Sequence, residues 1–86
     1  MRFDAAVEIR TKEGIADPEG ATIEAALPAL GFADIGGLSV GKSIRLWVEA
    51  ADEGAARARV EELCAALLAN PVMEEASVSL AQAAPA

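Results

Sequence analysis

The one pattern associated with catalysis in this sequence is a run that satisfies the phosphate-binding motif G-x-x-x-x-G-K-S, Gly36-Gly37-Leu38-Ser39-Val40-Gly41-Lys42-Ser43. In nucleotide-binding proteins such a loop lies between a strand and a helix, whose N-terminus helps to hold the phosphates. Here Ile44 to Glu49 follow, and their apolar and polar residues alternate as in a strand. We therefore interpret the motif as a hairpin turn, and keep a nucleotide-binding enzyme as an alternative hypothesis.

Other groups that could do chemistry do not converge. Adjacent carboxylates occur at three places: Asp52 with Glu53, Glu61 with Glu62, and Glu74 with Glu75. Neighbours in sequence point to different sides of a helix or strand, so none forms an acid/base pair. Cys64 is the only cysteine, it falls on an apolar helical stripe, and the chain has no histidine. The sequence predicts no catalytic residue, no metal site and no cofactor.

The charge balance bears on the kind of partner. The chain of 86 residues carries 14 acidic and 7 basic residues, a net charge of −7. Such a chain is repelled by nucleic-acid phosphates and by anionic membranes, so we expect neither as a partner. The sequence offers no apolar stretch long enough for a signal peptide or a membrane span, which makes the cytoplasm the expected location.

The first half of the chain predicts a strand and a helix. Apolar residues alternate from Phe3 to Ile9, as in a half-buried strand. Asp17 and Pro18 are suited to cap and start a helix. Its apolar stripe is Ile23, Ala26, Leu27 and Leu30. Gly31 suits the left-handed position that ends such a helix, and Pro28 should bend or tighten its last turn.

The second half predicts a hairpin, a helix and a last strand. The hairpin joins residues 35–40 to residues 44–49 through a tight turn at Gly41-Lys42, with a bulge at Gly36-Gly37. The helix runs from Asp52 to about Ala69, and its apolar stripe is Ala56, Val60, Leu63, Cys64, Leu67 and Leu68. The last strand places Ala76, Val78 and Leu80 on one face.

The order β-α-β-β-α-β predicts an α+β fold, a ferredoxin-like sandwich whose antiparallel sheet carries two helices on one face. Residues 1–80 are predicted to form a single domain and residues 81–86 a flexible tail. The other sheet face then lacks cover, and Trp47 lies on it between charged residues, so we expect oligomerisation through the sheet. The candidate interface residues, from this face and the loops beside it, are Lys12, Asp17, Lys42, Arg45, Trp47 and Glu49.

Four segments in order, over nearly the whole chain, resemble the PurS family, the small subunits of phosphoribosylformylglycinamidine synthase. They are Lys12 to Gly20 (KEGIADPEG), Ala26 to Phe32 (ALPALGF), Val40 to Lys42 (VGK) and Leu67 to Glu74 (LLANPVME). Each segment alone is weakly specific, but the four together, at family spacing and in a chain of family length, are strongly so.

The resemblance implies a role without chemistry on this chain. In that family a glutaminase subunit releases ammonia, and an ATP-dependent synthetase subunit uses it in purine biosynthesis. The small subunit associates with itself, as a homodimer or homotetramer, bridges the two catalytic subunits and supports ammonia transfer. A stand-alone ferredoxin-like module that binds a regulatory small molecule is the alternative from a different functional class.

Overall fold

A computed structural model describes residues 1–82. They form β1 (Arg2–Thr11), α1 (Pro18–Ala26), β2 (Lys42–Glu49), α2 (Glu53–Leu63) and β3 (Glu74–Gln82). A 3₁₀ turn over Pro28–Leu30 follows α1, and a π-helical turn over Cys64–Leu68 continues α2. The α+β class, with an antiparallel sheet and two helices, is confirmed.

The sheet has three strands in the order β2-β1-β3, and both pairings are antiparallel. In its register Val7 lies between Ile44 of β2 and Val78 of β3. The strict alternation of β1 buries Phe3 to Ile9 at every second position and exposes the residues between. A register with this period leaves one sheet face apolar and the other polar.

The apolar face is covered by α2. Asp52 caps this helix by accepting a hydrogen bond from the Ala55 backbone N–H at 2.8 Å, so its first turn is satisfied. Val60 and Cys64, four residues apart, pack on Val7 and Ile9 of the central strand. Each fully buried side chain of this size contributes about 1.5–3 kcal/mol, which makes this contact the main source of stability.

The first helix begins and ends as the sequence predicts, but it does not bury its apolar stripe. Asp17 caps it, Pro18 is its first residue and Gly31 takes the left-handed conformation with φ of 92°. Pro28 tightens the last turn to 3₁₀, since it lacks the N–H that an α-helical turn would need. Gly20 is the only buried residue of α1, so among residues 1–82 the sheet is covered by α2 and the π-helical turn that continues it.

The predicted strand over residues 35–40 is wrong, and with it the hairpin, because this segment has no regular structure and β2 begins at Lys42. The reason lies in hydrogen bonds that the pattern of apolar residues does not reveal. The Gly37 N–H donates to Glu24 Oε1 at 2.7 Å and the Val40 N–H to Asp17 Oδ2 at 2.9 Å. Backbone groups engaged by α1 in this way cannot form a ladder with β2.

At the C-terminal end β3 extends through Ala81 and Gln82, which pair with Asp4 and Phe3. These two residues were predicted to begin the tail, and residues 83–86 lie outside the described part of the chain. Within residues 1–82, no helix has the length and apolarity that crossing a bilayer requires.

Candidate interaction surface

The polar face of the sheet, here called the outer face, carries a large aromatic side chain at one end. Strand alternation in β2 turns Trp47 outward, opposite Asp4 of β1, and leaves its side chain 55% exposed. The Arg2 guanidinium carbon lies 4.2 Å from the centroid of the indole ring. This cation–π contact fixes the ring without covering it, so the indole remains available to a partner.

The middle of the outer face is shallow because its side chains are small. Ala6 occupies the centre of β1, with Arg45 opposite it on β2 and Ser79 opposite it on β3. Around them the surface forms an open trough of about 590 Å³, which Asp4 and Ala81 also line. A flat sheet with a trough can receive a protruding side chain of another protein, which is how interface anchors are seated.

Charges of both signs surround this trough. Arg2 and Glu49 are opposite each other at one end of the β1–β2 pair. At the far end Arg10 Nη2 lies 3.9 Å from Glu75 Oε1, with both side chains about half exposed. Mixed charge around an aromatic residue is typical of the rim of a protein interface, where it selects a partner more than it adds affinity.

The six residues predicted from the sequence fall into two groups. Arg45, Trp47 and Glu49 lie together on the outer face. The other three lie near the end of the sheet from which α1 departs. Lys12 Nζ donates to the Pro71 carbonyl at 2.6 Å, and Lys42 begins β2 opposite Ile9.

Asp17, the third of that group, has a structural task. Its Oδ1 accepts the Gly20 N–H at 3.0 Å, while its Oδ2 accepts the Val40 N–H. Hydrogen bonds from Val40 and then Gly20 favour the charged form and hold the pKa of this carboxyl below its usual value. Asp17 therefore joins the start of α1 to the segment that leads into β2.

The phosphate-binding motif does not form a phosphate site. Its Gly37 and Val40 N–H groups are engaged by carboxylates, and Lys42 is followed by a strand rather than a helix. Gly41 serves the backbone: a Cβ there would lie 2.6 Å from the Ile9 carbonyl oxygen. The geometry therefore favours neither the hairpin turn predicted for this motif nor the alternative of a nucleotide-binding loop.

Several of the carboxylates that the sequence singled out, and the cysteine, make contacts within the fold. Glu62 pairs with Arg59 at 3.0 Å, and Glu74 Oε1 accepts the Asn70 N–H at 2.9 Å. Cys64 lies in the core, where burial raises the pKa of its thiol. A thiol in this environment is held in its unreactive neutral form.

Sequence reasoning missed two residues. Arg2 contacts Trp47 on the outer face, and Glu24 holds the segment before β2. The side chain of Arg2 points to the outer face, and Arg2 lies opposite Glu49 of β2, two residues from Trp47. The contact with Trp47 follows from this strand register, which the sequence does not give. Glu24 bonds a backbone group 13 residues away, and no local sequence signal indicates such a contact.

The family model for PurS, described as phosphoribosylformylglycinamidine (FGAM) synthase, matches residues 4–82. The chain belongs to the PurS family. The synthase subunit PurS of Archaeoglobus fulgidus is similar to it, with 42% identity over 74 residues that cover 86% of this chain and 92% of the relative.

Solved structures of the family have the same fold. The crystal structure of PurS from Methanocaldococcus jannaschii superposes with a TM-score of 0.85 at 34% identity, covering 95% of this chain and 99% of the other. A chain in the structure of PurLQS from Thermotoga maritima gives a TM-score of 0.86 at 36% identity, covering 94% of this chain and 99% of that one. The likeness therefore extends over the whole described fold.

Proposed function

We propose that this chain is the non-catalytic small subunit of a phosphoribosylformylglycinamidine synthase. In this role it bridges a glutaminase subunit and an ATP-dependent synthetase subunit and supports the transfer of ammonia between them, in purine biosynthesis. The observation that carries the proposal is the near-complete likeness to a chain of the Thermotoga maritima PurLQS structure. Membership of the family and the subunit names of the relatives support it further.

The outer face supports a bridging role in physical terms. Its exposed Trp47, its central trough and its mixed charges form a surface that can be shared with another protein. We place self-association on this face, with Arg45, Trp47 and Glu49 as the residues that meet the second copy.

The loops beside the sheet carry the second part of the role. Lys12, Asp17 and Lys42 lie near the other end of the domain, where we place contact with the catalytic subunits. In such a complex the chemistry belongs to the catalytic subunits. We place the complex, including this chain, in the cytoplasm. The chain contributes a rigid sheet that sets their separation.

The decisive experiment reconstitutes the complex from this chain, the glutaminase and the synthetase of the same source. With formylglycinamide ribonucleotide, ATP and glutamine, turnover should require all three chains, and the two catalytic chains should copurify only when this chain is present. Glutamine-dependent turnover that is undiminished without this chain would reject the proposal. Saturable binding of an amino acid or nucleotide by the chain alone would instead support the stand-alone regulatory module.

A matched pair of variants locates the contact. Trp47→Ala removes the largest exposed side chain of the outer face and should weaken self-association at least tenfold, as loss of an aromatic anchor does. Val72→Ala, at a side chain 76% exposed in the turn before β3, is the control and should leave association unchanged. Equal association of the two variants would remove the outer face from the proposal.

A further inference from the structure

An open cavity lies between α2 and the edge strand β3, on the side of the sheet that α2 covers. Ala76 of β3 pairs with the buried Ile9 and therefore points to this side. It nevertheless remains exposed, so the start of β3 is left uncovered within residues 1–82. The cavity that results, here called the α2–β3 cavity, has a volume of about 360 Å³. Small-molecule sites typically have volumes of about 300–1,000 Å³, so this cavity is large enough for a ligand.

The floor of the α2–β3 cavity is apolar, and the π-helical turn after α2 shapes it. Cys64, Ala65 and Ala69 line it from this turn, and Ala76 and Val78 line it from β3. The Ala69 N–H donates to the Cys64 carbonyl, five residues back, at 3.0 Å, which is the hydrogen bond of a π-helix. Such turns within helices are rare and frequently occur at functional sites. The small side chains of this floor leave room for an aliphatic chain.

Arg57 supplies a fixed positive charge at one end of the cavity. Its Nη1 donates to the Val78 carbonyl at 2.8 Å, and its side chain is partly buried. Glu61 lies one turn further along α2, where opposite charges often pair, yet Arg57 forms no ion pair among residues 1–82. The bond to Val78 uses only one of the N–H donors of the guanidinium. An oriented guanidinium without a counter-ion is suited to bind a carboxylate.

Two carboxylates line the same cavity. Glu61 is exposed on α2, and Glu74 lies at the far end, where β3 begins. Glu74 Oε1 accepts the Asn70 N–H at 2.9 Å, which orients this carboxylate. Lys12 Nζ donates to the Pro71 carbonyl at this end, and neither carboxylate forms an ion pair within the described part of the chain. The cavity therefore presents one positive and two negative charges around an apolar floor.

The two ends of the cavity are too far apart for a ligand whose charges are all carried on one carbon. Val78, whose carbonyl holds the Arg57 guanidinium, and Glu74 are four residues apart on β3, which is roughly 13 Å in a strand. The carboxylate and α-ammonium of an amino acid can meet Arg57 and Glu61 but not Glu74. A second cation at the end of an aliphatic side chain is needed to meet Glu74 as well.

We infer that the α2–β3 cavity binds a free basic α-amino acid, such as lysine, ornithine or arginine. The ligand carboxylate lies on the Arg57 guanidinium, its α-ammonium on Glu61 and its side-chain cation towards Glu74, with the methylene groups on the alanine floor. The one negative and two positive charges of the ligand match those of the cavity, so every charged group has a partner. A neutral or acidic amino acid would leave Glu74 without one.

Isothermal titration calorimetry of the full chain with a series of ligands tests each contact. L-lysine and L-arginine should bind saturably. L-norleucine has the stem of lysine without its terminal cation, and cadaverine is lysine without its carboxylate. Each should bind at least about tenfold more weakly than L-lysine, as the loss of one charged hydrogen bond implies. Cadaverine thus tests the Arg57 contact without a substitution that would also free the Val78 carbonyl. Absence of saturable binding by L-lysine and L-arginine, or equal binding of all these compounds, would overturn the inference.

Charge-neutralising variants locate the site on the chain. Glu61→Gln removes a carboxylate of the cavity and should weaken L-lysine binding at least about fivefold. Glu62→Gln, the matched control, removes the neighbouring carboxylate, which does not line the cavity, and should leave binding unchanged. Both side chains are exposed, so the fold should be retained, and far-ultraviolet circular dichroism checks this. An equal loss in the two variants would mean that the overall negative charge of the chain attracts the ligand, and would overturn the inference.

Glu74→Gln tests the far end of the cavity. This variant should lower the affinity for L-lysine towards that for L-norleucine, because only L-lysine has the cation that Glu74 meets. An unchanged preference for L-lysine would overturn the assignment of a basic ligand.

This site is separate from the proposed bridging role. A stand-alone regulatory module would also bind an amino acid, and the dependence of turnover on this chain, measured with the reconstituted complex, separates the two. Absence of binding would remove only this site, whereas turnover that does not need the chain would remove only the bridging role.

Discussion

The sheet with α2 and residues 13–41, here called the acidic segment, are built from similar residues but reach stability in different ways. In the first region apolar side chains from β1 and α2 bury one another, and Val7, Ile9 and Val60 are almost completely inaccessible to solvent. In the second, an equally apolar helical stripe is exposed, and the shape depends on hydrogen bonds from two carboxylates. The comparison indicates that burial stabilises the first region, whereas hydrogen bonds to carboxylates fix the shape of the second.

The largest expected effect comes from a pair of equivalent truncations, one in each region. Ile9→Ala opens a cavity in the core and should lower the free energy of unfolding by about 2–5 kcal/mol at every protein concentration. Ile23→Ala removes the same atoms from α1 and should have an effect within about 0.5 kcal/mol when the chain is monomeric. Urea denaturation of the two variants over a range of concentrations measures both.

The same pair shows whether association stabilises the acidic segment. If the segment is buried against a second copy, the cost of Ile23→Ala should grow as the protein concentration rises, because binding adds to stability by mass action. A cost for Ile23→Ala that matches that of Ile9→Ala in the monomer would contradict the division into two regions.

The next effect concerns the junction between the regions. Gly41→Ala would bring a Cβ within 2.6 Å of the Ile9 carbonyl oxygen, so the start of β2 has to move. We expect a loss of about 1–3 kcal/mol, as for other overpacked sites. Gly36→Ala is the control in the same loop, where the new Cβ makes an ordinary contact with Glu24. Thermal unfolding should separate the two variants, and equal midpoints would show that the junction is free to adjust.

A smaller effect tests the carboxylate that ties α1 to the segment before β2. The pKa of Asp17 is lower in the folded chain than its usual value near 3.8, so at low pH the unfolded chain binds the proton more readily. The stabilising contribution of the Asp17 carboxylate is therefore present above the usual pKa of 3.8, and it is lost as the pH falls through the lower pKa of the folded chain. Asp17→Asn should be less stable than wild type at pH 7, and the difference should shrink below about pH 4. A difference that is constant between pH 3 and pH 7 would contradict this assignment.

The smallest effect is expected on the outer face. Arg10 and Glu75 form an exposed pair at 3.9 Å, which water and salt screen. Glu75→Gln should therefore change the free energy of unfolding by less than about 0.5 kcal/mol in urea denaturation. A loss of more than about 1 kcal/mol, removed by added salt, would show that the charges of this face stabilise the fold itself.

Much of the fold could be predicted because its signals are local. The alternation in β1, the cap at Asp17, the start at Pro18 and the left-handed Gly31 all depend on residues within one turn or strand. The outward position of Trp47 follows from the same alternation in β2. The proposed lack of catalysis rests on residue types alone, with no histidine and a single cysteine on an apolar stripe.

Only the tertiary structure decided how the segment before β2 is held and which helix covers the sheet. An apolar pattern over residues 35–40 favours a strand, but the carboxylates of Asp17, which caps α1, and of Glu24 within α1 accept two of its N–H groups. No pattern of nearby residues records a bond over 13 or 23 positions. An amphipathic stripe likewise reveals that a helix face will be covered, but not by what. That choice depends on the shapes and charges of whole surfaces, and within residues 1–82 the stripe of α1 stays largely exposed.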